Sequence, residues 1–329
     1  MSMTRLTIAC LGAGRMGRGI AVAFAYAGHS VIMIDVKPRS AGHFAKLKAD
    51  ALNEVQKTLA SLTRFGLLDV AQADAVITRI SVVPSDASAT PLANAGLLFE
   101  GVPEVVELKR EVLAAASRAV DPEVIIASTT STILVDDLSE AVLRPERFLN
   151  VHGLNPAYLI PLVEISPGAR TDPAVTERIK SLLEGIGKVP VVCAATPGFI
   201  VPRIQALAMN EAARMVDEGV ASAADIDKAI RYGFGFRYAV LGLLEFIDWG
   251  GGDILYYASR YLEGALGSDR YRAPDVIFRN MQEGRIGLRT GAGFLDYSGL
   301  DIDAYRDQRL GALVEMLKHV GLARPPVLD

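Results

Sequence analysis

Short β-branched segments alternate with Ala-rich segments of helical periodicity over roughly the first 195 residues of the chain. The segments with the composition of strands are Leu6–Leu11, Val31–Val36, Ile77–Val83, Gly96–Phe99, Val124–Ser128, Phe148–Val151, Leu162–Ile165 and Val189–Cys193. The segments with the periodicity of helices are Arg15–Ala27, Ser40–Phe65, Val105–Ala119 and Ala174–Leu183. Strands that are separated by helical crossovers form parallel sheets with helices on both faces. The pattern therefore predicts an α/β fold with a doubly wound parallel sheet.

The sequence changes character after Thr196-Pro197-Gly198. Strand-like segments almost vanish, and apolar residues recur at helical spacing, beginning with Ile204 and Leu207. A domain typically has roughly 100–200 residues, so the chain is long enough for two. We therefore expect an α/β domain over residues 1–196 and an all-α domain over residues 197–329.

Composition restricts the class of protein and its partners. The 329 residues are 50% apolar and 22% charged with a net charge of −4, which excludes a disordered chain and, without a basic block, argues against a nucleic-acid partner. Two distant cysteines, Cys10 and Cys193, predict neither a disulfide framework nor a zinc module, and no metal site is expected. The apolar stretch Ile20–Ile34 is too short to cross a membrane, and no export signal is visible. We expect a soluble cytoplasmic protein.

Residues Gly12-Ala13-Gly14-Arg15-Met16-Gly17 match G-x-G-x-x-G between a predicted strand and a predicted helix. In this motif Gly12 permits a tight turn, Gly14 lets the backbone approach a pyrophosphate, and Gly17 lets helix and strand pack closely. The pyrophosphate lies at the helix N-terminus, where free N–H groups favour anions. The loop, Met16 included, is therefore predicted to bind a dinucleotide in a Rossmann-type domain.

Asp35 ends the second predicted strand. A carboxylate at this position accepts hydrogen bonds from the adenosine ribose and repels a 2′-phosphate, so NAD is predicted in preference to NADP. Lys37 and Arg39 follow closely and leave some tolerance for NADP.

Of the four histidines, one stands where chemistry is expected. His152 follows the strand Phe148–Val151, and ligands collect at the carboxyl ends of strands in open α/β sheets. Glu164 lies in the next apolar strand, where a carboxylate is costly unless it is paired. A His–Glu pair leaves one imidazole nitrogen as a base near neutral pH, although a satisfied structural pair is the alternative. The remaining histidines are interpreted as solvated or structural: His29, His43 and His319.

Ser131 ends the polar cluster Ser128-Thr129-Thr130-Ser131, which follows a predicted strand. These hydroxyls either cap the helix that follows, or one of them holds a substrate oxygen beside His152. The residues alone leave both interpretations open.

These segments resemble the NAD-dependent L-3-hydroxyacyl-CoA dehydrogenases and their relatives that act on free hydroxy acids. The spacing of His152 and Glu164, with Asn155-Pro156 between them, is specific to that family. The resemblance extends to about Tyr297 and is strongest in Gly12–Gly17, Glu100–Lys109, Ser128–Ile133, Arg147–Ile165 and Thr196–Arg203.

The resemblance implies a role for each candidate residue. It implies that His152 is the general base that takes the 3-hydroxyl proton, that Glu164 orients it, and that Ser131 hydrogen-bonds the reacting oxygen. It also implies a homodimer, formed by C-terminal helices that close the substrate cleft. Contacts to NAD are implied for Glu104, Lys109 and Asn155, and for Arg289, which stands where the family usually has a lysine.

Three features depart from the acyl-CoA pattern. Pro202 replaces an Asn that donates to the substrate oxygen, and losing such a donor costs about 10²–10³ in rate. Tyr158–Pro161 and Phe236–Ala239 are more similar to the L-gulonate and carnitine dehydrogenases. A helical segment, Ala304–Val320, follows Tyr297 and has no assigned role.

The substrate class stays open between a CoA thioester, narrowly favoured, and a free acid. The predicted helix Ser40–Phe65 carries a basic stripe that could meet CoA phosphates, diluted by two carboxylates, and it consists of Lys46, Lys57 and Arg64. Arg237 could hold the carboxylate of a free acid such as L-gulonate, carnitine or 3-hydroxybutyrate, or form a salt bridge within the helical domain. A third hypothesis, motivated by Pro202, is an NAD-binding structural or sensing protein.

Overall fold

The computed structural model describes residues 5–327. Two compact units are present, Met1–Met209 and Asn210–Asp329. The predicted domains also include residues 1–4 and 328–329, which lie outside the described part of the chain. The domain boundary near residue 196 remains a prediction from composition.

The first unit is built on one sheet of eight strands. These are β1 (Thr7–Leu11), β2 (Ser30–Ile34), β3 (Ile80–Val83), β4 (Leu97–Glu100), β5 (Ile125–Ser128), β6 (Phe148–Gly153), β7 (Leu162–Pro167) and β8 (Val189–Val192). Their order in the sheet is β3-β2-β1-β4-β5-β6-β7-β8. Every predicted strand is present, and the predicted Rossmann-type fold is confirmed.

One strand pair departs from the predicted parallel arrangement. β6 and β7 run antiparallel, whereas the other neighbouring pairs of the described sheet are parallel. A parallel connection needs a crossover of roughly a dozen residues or more. The loop between Gly153 and Leu162 is too short for one, so the chain returns beside itself. In the resulting register His152 lies opposite Glu164.

Helices cover both faces of this sheet. They are α1 (Arg15–Tyr26), α2 (Ala41–Arg64), α3 (Val70–Ile77), α4 (Ala89–Ala93), α5 (Val106–Ala119), α6 (Val135–Ser139), α7 (Pro173–Gly185) and α8 (Val201–Asp217), which continues into the second unit. The sequence did not predict α3, α4 or α6, because each has eight residues or fewer. For α3 a capping box between Asp69 and Gln72 was the available indication.

Alternate residues of β1 enter two different apolar clusters. Ile8 and Cys10 pack in one cluster and Ala9 and Leu11 in the other, as expected when successive side chains point to opposite faces of a strand. Burial raises the pKa of the Cys10 thiol to about 12, so this thiol is inert near neutral pH. His29 is also buried, and its Nδ1 accepts a hydrogen bond of 3.0 Å from the backbone N–H of Leu6, a structural role.

The second unit is helical. Its helices are α9 (Ala223–Ala229), α10 (Gly235–Tyr238), α11 (Leu243–Gly250), α12 (Gly252–Leu266), α13 (Asp275–Gln282) and α14 (Ile302–His319). The segment that follows Tyr297 therefore forms α14, and Glu245 of α11 accepts hydrogen bonds from Tyr305 and Arg309 of that helix. Within residues 5–327, no helix has both the length and the apolar character that a membrane span requires.

Close packing of α1 on the glycine loop gives a stability prediction. A Cβ atom on Gly17 would lie 2.1 Å from the backbone oxygen of Gly12, whereas a Cβ atom on Gly14 would meet no atom within 4 Å. We expect Gly17→Ala to lower the free energy of unfolding by about 1–3 kcal/mol, because α1 must move away from the glycine loop. Gly14→Ala, the matched control, should lower it by less, about 0.5 kcal/mol, because Gly14 is the N-cap of α1 and alanine caps less well. Urea denaturation without cofactor measures both, and equal midpoints for the two variants would contradict this packing account.

Candidate active site

The carboxyl ends of the parallel strands bring the predicted site residues to one edge of the sheet. The glycine loop follows β1, Asp35 follows β2, Glu100 ends β4, and His152 lies near the end of β6. β5 lies between β4 and β6 in the sheet. The turn with Ser131, which follows β5, therefore leaves the sheet between Glu100 and His152. This edge of a doubly wound sheet is where ligands bind.

The glycine loop has the conformation that a dinucleotide requires. Gly12 has a φ of +104°, which favours glycine. Gly14 is exposed and its missing side chain leaves the backbone open to close approach. No side chain caps the first turn of α1, so its N–H groups are free to bind a pyrophosphate. The residues of the loop therefore fit a dinucleotide cofactor.

Asp35 is buried at the end of β2 and is paired within the protein. Its Oδ2 accepts a hydrogen bond of 2.5 Å from Arg39 Nε, and its Oδ1 accepts one of 3.3 Å from the backbone N–H of Lys37. Arg39, which the sequence associated with tolerance for NADP, thus partly neutralises the Asp35 carboxylate that favours NAD.

His152 and Glu164 are brought together as the spacing predicts. His152 Nδ1 lies 2.8 Å from Glu164 Oε2, and the Glu164 side chain is 1% exposed. Glu164 Oε1 accepts hydrogen bonds of 2.9 and 2.8 Å from the backbone N–H groups of Ile200 and Val201. An ionised carboxylate only accepts hydrogen bonds, so Nδ1 is assigned as a further donor to Glu164. Nε2 is then left as the acceptor.

The backbone donors to Glu164 were missed in the sequence. Ile200 lies directly before α8 and Val201 is its first residue, and both follow Phe199, whose φ is +43°. The Pro197-Gly198 turn indicated a break in the chain, but a backbone N–H has no sequence signature of its own. Pro202 lies in the first turn of α8, where a missing N–H costs no hydrogen bond.

Glu104 organises the turn that carries Ser131. Its Oε1 accepts hydrogen bonds from the Thr130 hydroxyl, from Ser131 N at 3.0 Å and from Thr132 at 3.0 Å. The helix-capping interpretation of these hydroxyls is wrong, because the N-cap of α6 is Leu134 and no side chain caps it. Burial raises the pKa of Glu104, but the Thr130 hydrogen bond, the charge of Lys109 and the bonds from Thr132 and Ser131 outweigh it, and the net pKa lies below its usual value.

Lys109 lies in a buried ion network. Its Nζ contacts Glu100 Oε1 at 2.8 Å and Oε2 at 3.0 Å, and Glu104 Oε2 at 3.4 Å. Ser128 Oγ donates to Glu100 Oε2 at 2.5 Å, so the buried charges are fully partnered. The sequence did not single out Glu100. Lys109 is 1% exposed and is paired with Glu100 and Glu104. Its contact with NAD remains a prediction.

A cleft of about 320 Å³ lies between α1, α2 and the loop after β6. Its polar lining includes Arg15, Arg18, Glu54, Thr58 and Asn155. Lys57 is not part of this lining and instead pairs with Glu54, with its Nζ 2.8 Å from Oε1.

Two predicted site residues lie in the second unit. Arg289 pairs with Asp253 at 2.5 Å. Arg237 stacks on the Phe246 ring at 4.6 Å, and none of the ion pairs among residues 5–327 involves it, so cation–π stacking takes the place of the alternative salt bridge. Their roles toward cofactor and substrate remain predictions.

Other reactive groups are accounted for by their surroundings. Burial and the nearby charge of Glu164 raise the pKa of Cys193, which makes its thiol a poor nucleophile. Among the residues that the structure describes, no group of three or more His, Cys, Asp or Glu side chains could hold a metal ion.

Comparison with known proteins agrees with this architecture. The family model described as "3-hydroxyacyl-CoA dehydrogenase, NAD binding domain" matches residues 7–196, and "3-hydroxyacyl-CoA dehydrogenase, C-terminal domain" matches residues 198–297. The chain is similar to a 3-hydroxybutyryl-CoA dehydrogenase of Bradyrhizobium diazoefficiens, with 33% identity over 89% of this chain and 95% of the relative.

Two further relatives cover nearly the whole chain. One is a 5-formyl-3-hydroxy-2-methylpyridine 4-carboxylate 5-dehydrogenase of Mesorhizobium japonicum, 29% identical over 93% of this chain and 96% of the relative. The other is a solved structure of a 3-hydroxyacyl-CoA dehydrogenase from Archaeoglobus fulgidus, with a TM-score of 0.76, 29% identity and coverage of 97% of this chain and 100% of that one.

The fold and the matched models define an NAD-dependent oxidoreductase that acts on a CH–OH group. The chain belongs to the 3-hydroxyacyl-CoA dehydrogenase family. The resemblance stated from the sequence is confirmed, as is NAD as the cofactor.

Proposed function

We propose that the protein interconverts a short-chain L-3-hydroxyacyl-CoA, such as 3-hydroxybutyryl-CoA, and its 3-oxo form. The observation that carries this proposal is the contact of 2.8 Å between His152 Nδ1 and Glu164 Oε2, which leaves Nε2 as a base at the ligand-binding edge of the sheet. NAD, when bound, supplies the acceptor for the hydride from the carbinol carbon. The glycine loop with Gly12, Gly14, Met16 and Gly17, together with Asp35, would hold it.

His152 takes the proton of the substrate hydroxyl at Nε2. Its Nδ1–H stays donated to Glu164, and the carboxylate stabilises the imidazolium that forms. In the reverse direction the same nitrogen returns the proton to the alkoxide oxygen. The structural-pair alternative explains the contact equally well, but not its position at this edge of the sheet.

Ser131 donates its hydroxyl to the same substrate oxygen. Glu104 accepts a hydrogen bond from the backbone N–H of Ser131, which fixes the position from which the hydroxyl extends. Pro202 has no side-chain donor for this oxygen, so stabilisation of the developing charge depends on Ser131 to a larger extent than in relatives with an Asn. Glu104, in the loop after β4, and Asn155, in the loop after β6, would contact the cofactor, and Lys109 pairs with Glu104.

The cleft beside the glycine loop supports a thioester. Arg15 and Arg18 line it, and among residues 5–327 neither belongs to an ion pair. Arg18 Nη1 donates to Ala13 O at 3.5 Å, and both guanidinium groups keep further N–H donors for phosphate. The Lys57 charge is instead compensated by Glu54, and we assign it a minor part in binding.

A free hydroxy acid is the second candidate substrate. The relative from Mesorhizobium japonicum is named for a pyridine carboxylate. In this chain Arg237 carries a guanidinium that is stacked on Phe246 and has no carboxylate partner among the described residues. A substrate carboxylate could take that place. The third hypothesis, an NAD-binding structural or sensing protein with impaired chemistry, has less support, because the His152–Glu164 pair is intact.

We further propose a homodimer through the helical unit, in a reducing cytoplasm. One face of α12 exposes Ile254, Tyr257 and Tyr261 at 61%, 62% and 74% of their surfaces. Their spacing places them on one side of the helix, and a contiguous apolar face of this kind is typical of a protein interface. The two free cysteines, Cys10 and Cys193, fit a reducing compartment.

Removing the base tests the mechanism. We expect His152→Ala to lower kcat by about 10²–10⁴, because general-base catalysis contributes that much, while the Kd for NADH stays within about twofold. Initial rates and NADH fluorescence titration measure the two quantities. His43→Ala is the matched control, because His43 is exposed on α2. Wild-type turnover in His152→Ala would remove this residue from the mechanism.

A substrate panel separates the two candidate classes. We expect turnover of acetoacetyl-CoA and 3-hydroxybutyryl-CoA, read by NADH absorbance, and none of 3-hydroxybutyrate, L-gulonate or carnitine. Arg18→Gln should raise KM for the thioester about tenfold because a phosphate contact is lost, whereas Arg64→Gln, outside the cleft, should not. Turnover of a free acid alone, with KM raised by Arg237→Gln, would replace the thioester proposal by the second candidate.

A further inference from the structure

The residue before the two backbone donors to Glu164 has an unusual conformation. Phe199 has a φ of +43°, and it is the described non-glycine residue that lies in the left-handed region. A bulky side chain rarely adopts this conformation, which persists only where the surroundings hold it. Backbone of this kind concentrates at functional sites.

This conformation determines where the next two N–H groups point. Ile200 N and Val201 N both donate to Glu164 Oε1, at 2.9 and 2.8 Å. Two consecutive N–H groups can converge on one oxygen where the chain turns, and here the turn comes directly before them. Phe199 makes that turn.

Neighbouring contacts hold the turn. Phe199 N donates to Thr196 O at 3.1 Å, and Arg203 N donates to Gly198 O at 3.1 Å. The Arg203 side chain also donates to Pro197 O at 2.8 Å. The backbone around Phe199 is therefore fixed on both sides.

The Phe199 ring has a second contact with the site. It is 4% exposed, and its centroid lies 5.8 Å from that of the His152 imidazole at an interplanar angle of 34°. The two rings thus lie close together and tilted against each other, beside the contact of the imidazole with the Glu164 carboxylate. Excluding water there strengthens the attraction between imidazolium and carboxylate, because the local dielectric constant is low.

We propose that Phe199 is a positioning residue for the His152–Glu164 pair, directing two backbone N–H groups onto Glu164 and shielding the imidazole with its ring. This inference rests on the proposed function of the pair. Phe199 acts through Glu164 and His152, so its contribution depends on both residues being present.

Three substitutions separate the ring from the backbone. Phe199→Leu keeps apolar bulk, and we expect its kcat to stay within about threefold of wild type. Phe199→Gly adopts a positive φ freely but removes the ring, so kcat should fall about tenfold. Phe199→Ala removes the ring and favours a negative φ that turns the N–H groups away from Glu164, so kcat should fall about 100-fold. The Kd for NADH should stay within about twofold in all three.

A double-mutant cycle distinguishes positioning from a general structural role. In a Glu164→Gln background we expect Phe199→Ala to lower kcat by no more than about threefold, because the group through which it acts has already been changed. A residue that only stabilises the fold would give equal losses in both backgrounds, in step with Tm. That additive result, or equal kcat for the Gly and Ala variants, would overturn the inference.

The outcome of Glu164→Gln alone keeps the two proposals apart. If it leaves kcat unchanged, the proposed role of the pair fails and the Phe199 proposal fails with it. If it lowers kcat while Phe199→Ala remains additive, the proposed function stands and the positioning role of Phe199 is wrong.

Discussion

The Glu164 carboxylate is the group on which the site depends. It is almost fully buried, and such a charge is tolerated only when its oxygens are satisfied. One oxygen contacts His152, and the other accepts from two backbone N–H groups at the start of α8. The same contacts that make the buried charge tolerable also fix the imidazole in one tautomer. The tolerance of the buried charge and the proposed chemistry therefore depend on one set of hydrogen bonds.

The antiparallel return of β7 places that carboxylate. Residues twelve apart in sequence become direct neighbours because the loop after Gly153 is too short for a helical crossover. In a parallel connection the two strands would run in the same direction, and a longer segment of chain would separate the two residues. The local reversal is thus the structural cause of the His–Glu pair. Beside it, the buried network of Glu100 and Lys109 fixes the turn that carries Ser131, through Glu104.

Periodicity and spacing predicted the eight strands, the glycine loop and the His152–Glu164 pair, because each of these is encoded by nearby residues. The antiparallel pair was not predicted, since composition does not report strand direction. Glu100 was overlooked because its partners, Lys109 and Ser128, lie nine and 28 residues away and meet only in the fold. The donors at Ile200 and Val201 were overlooked because they are backbone atoms. Lys57 was singled out for its charge, which Glu54 compensates in three dimensions.

In the proposed site, Glu164 holds His152 with a proton on Nδ1 and a free Nε2. The most direct measurement is the ¹⁵N NMR spectrum of histidine-labelled protein at a pH where the imidazole is neutral, with His152→Ala used for assignment. We expect Nδ1 of His152 to be protonated and Nε2 not, and this preference to be lost in Glu164→Gln. A proton on Nε2, or an unchanged spectrum in Glu164→Gln, would contradict this arrangement.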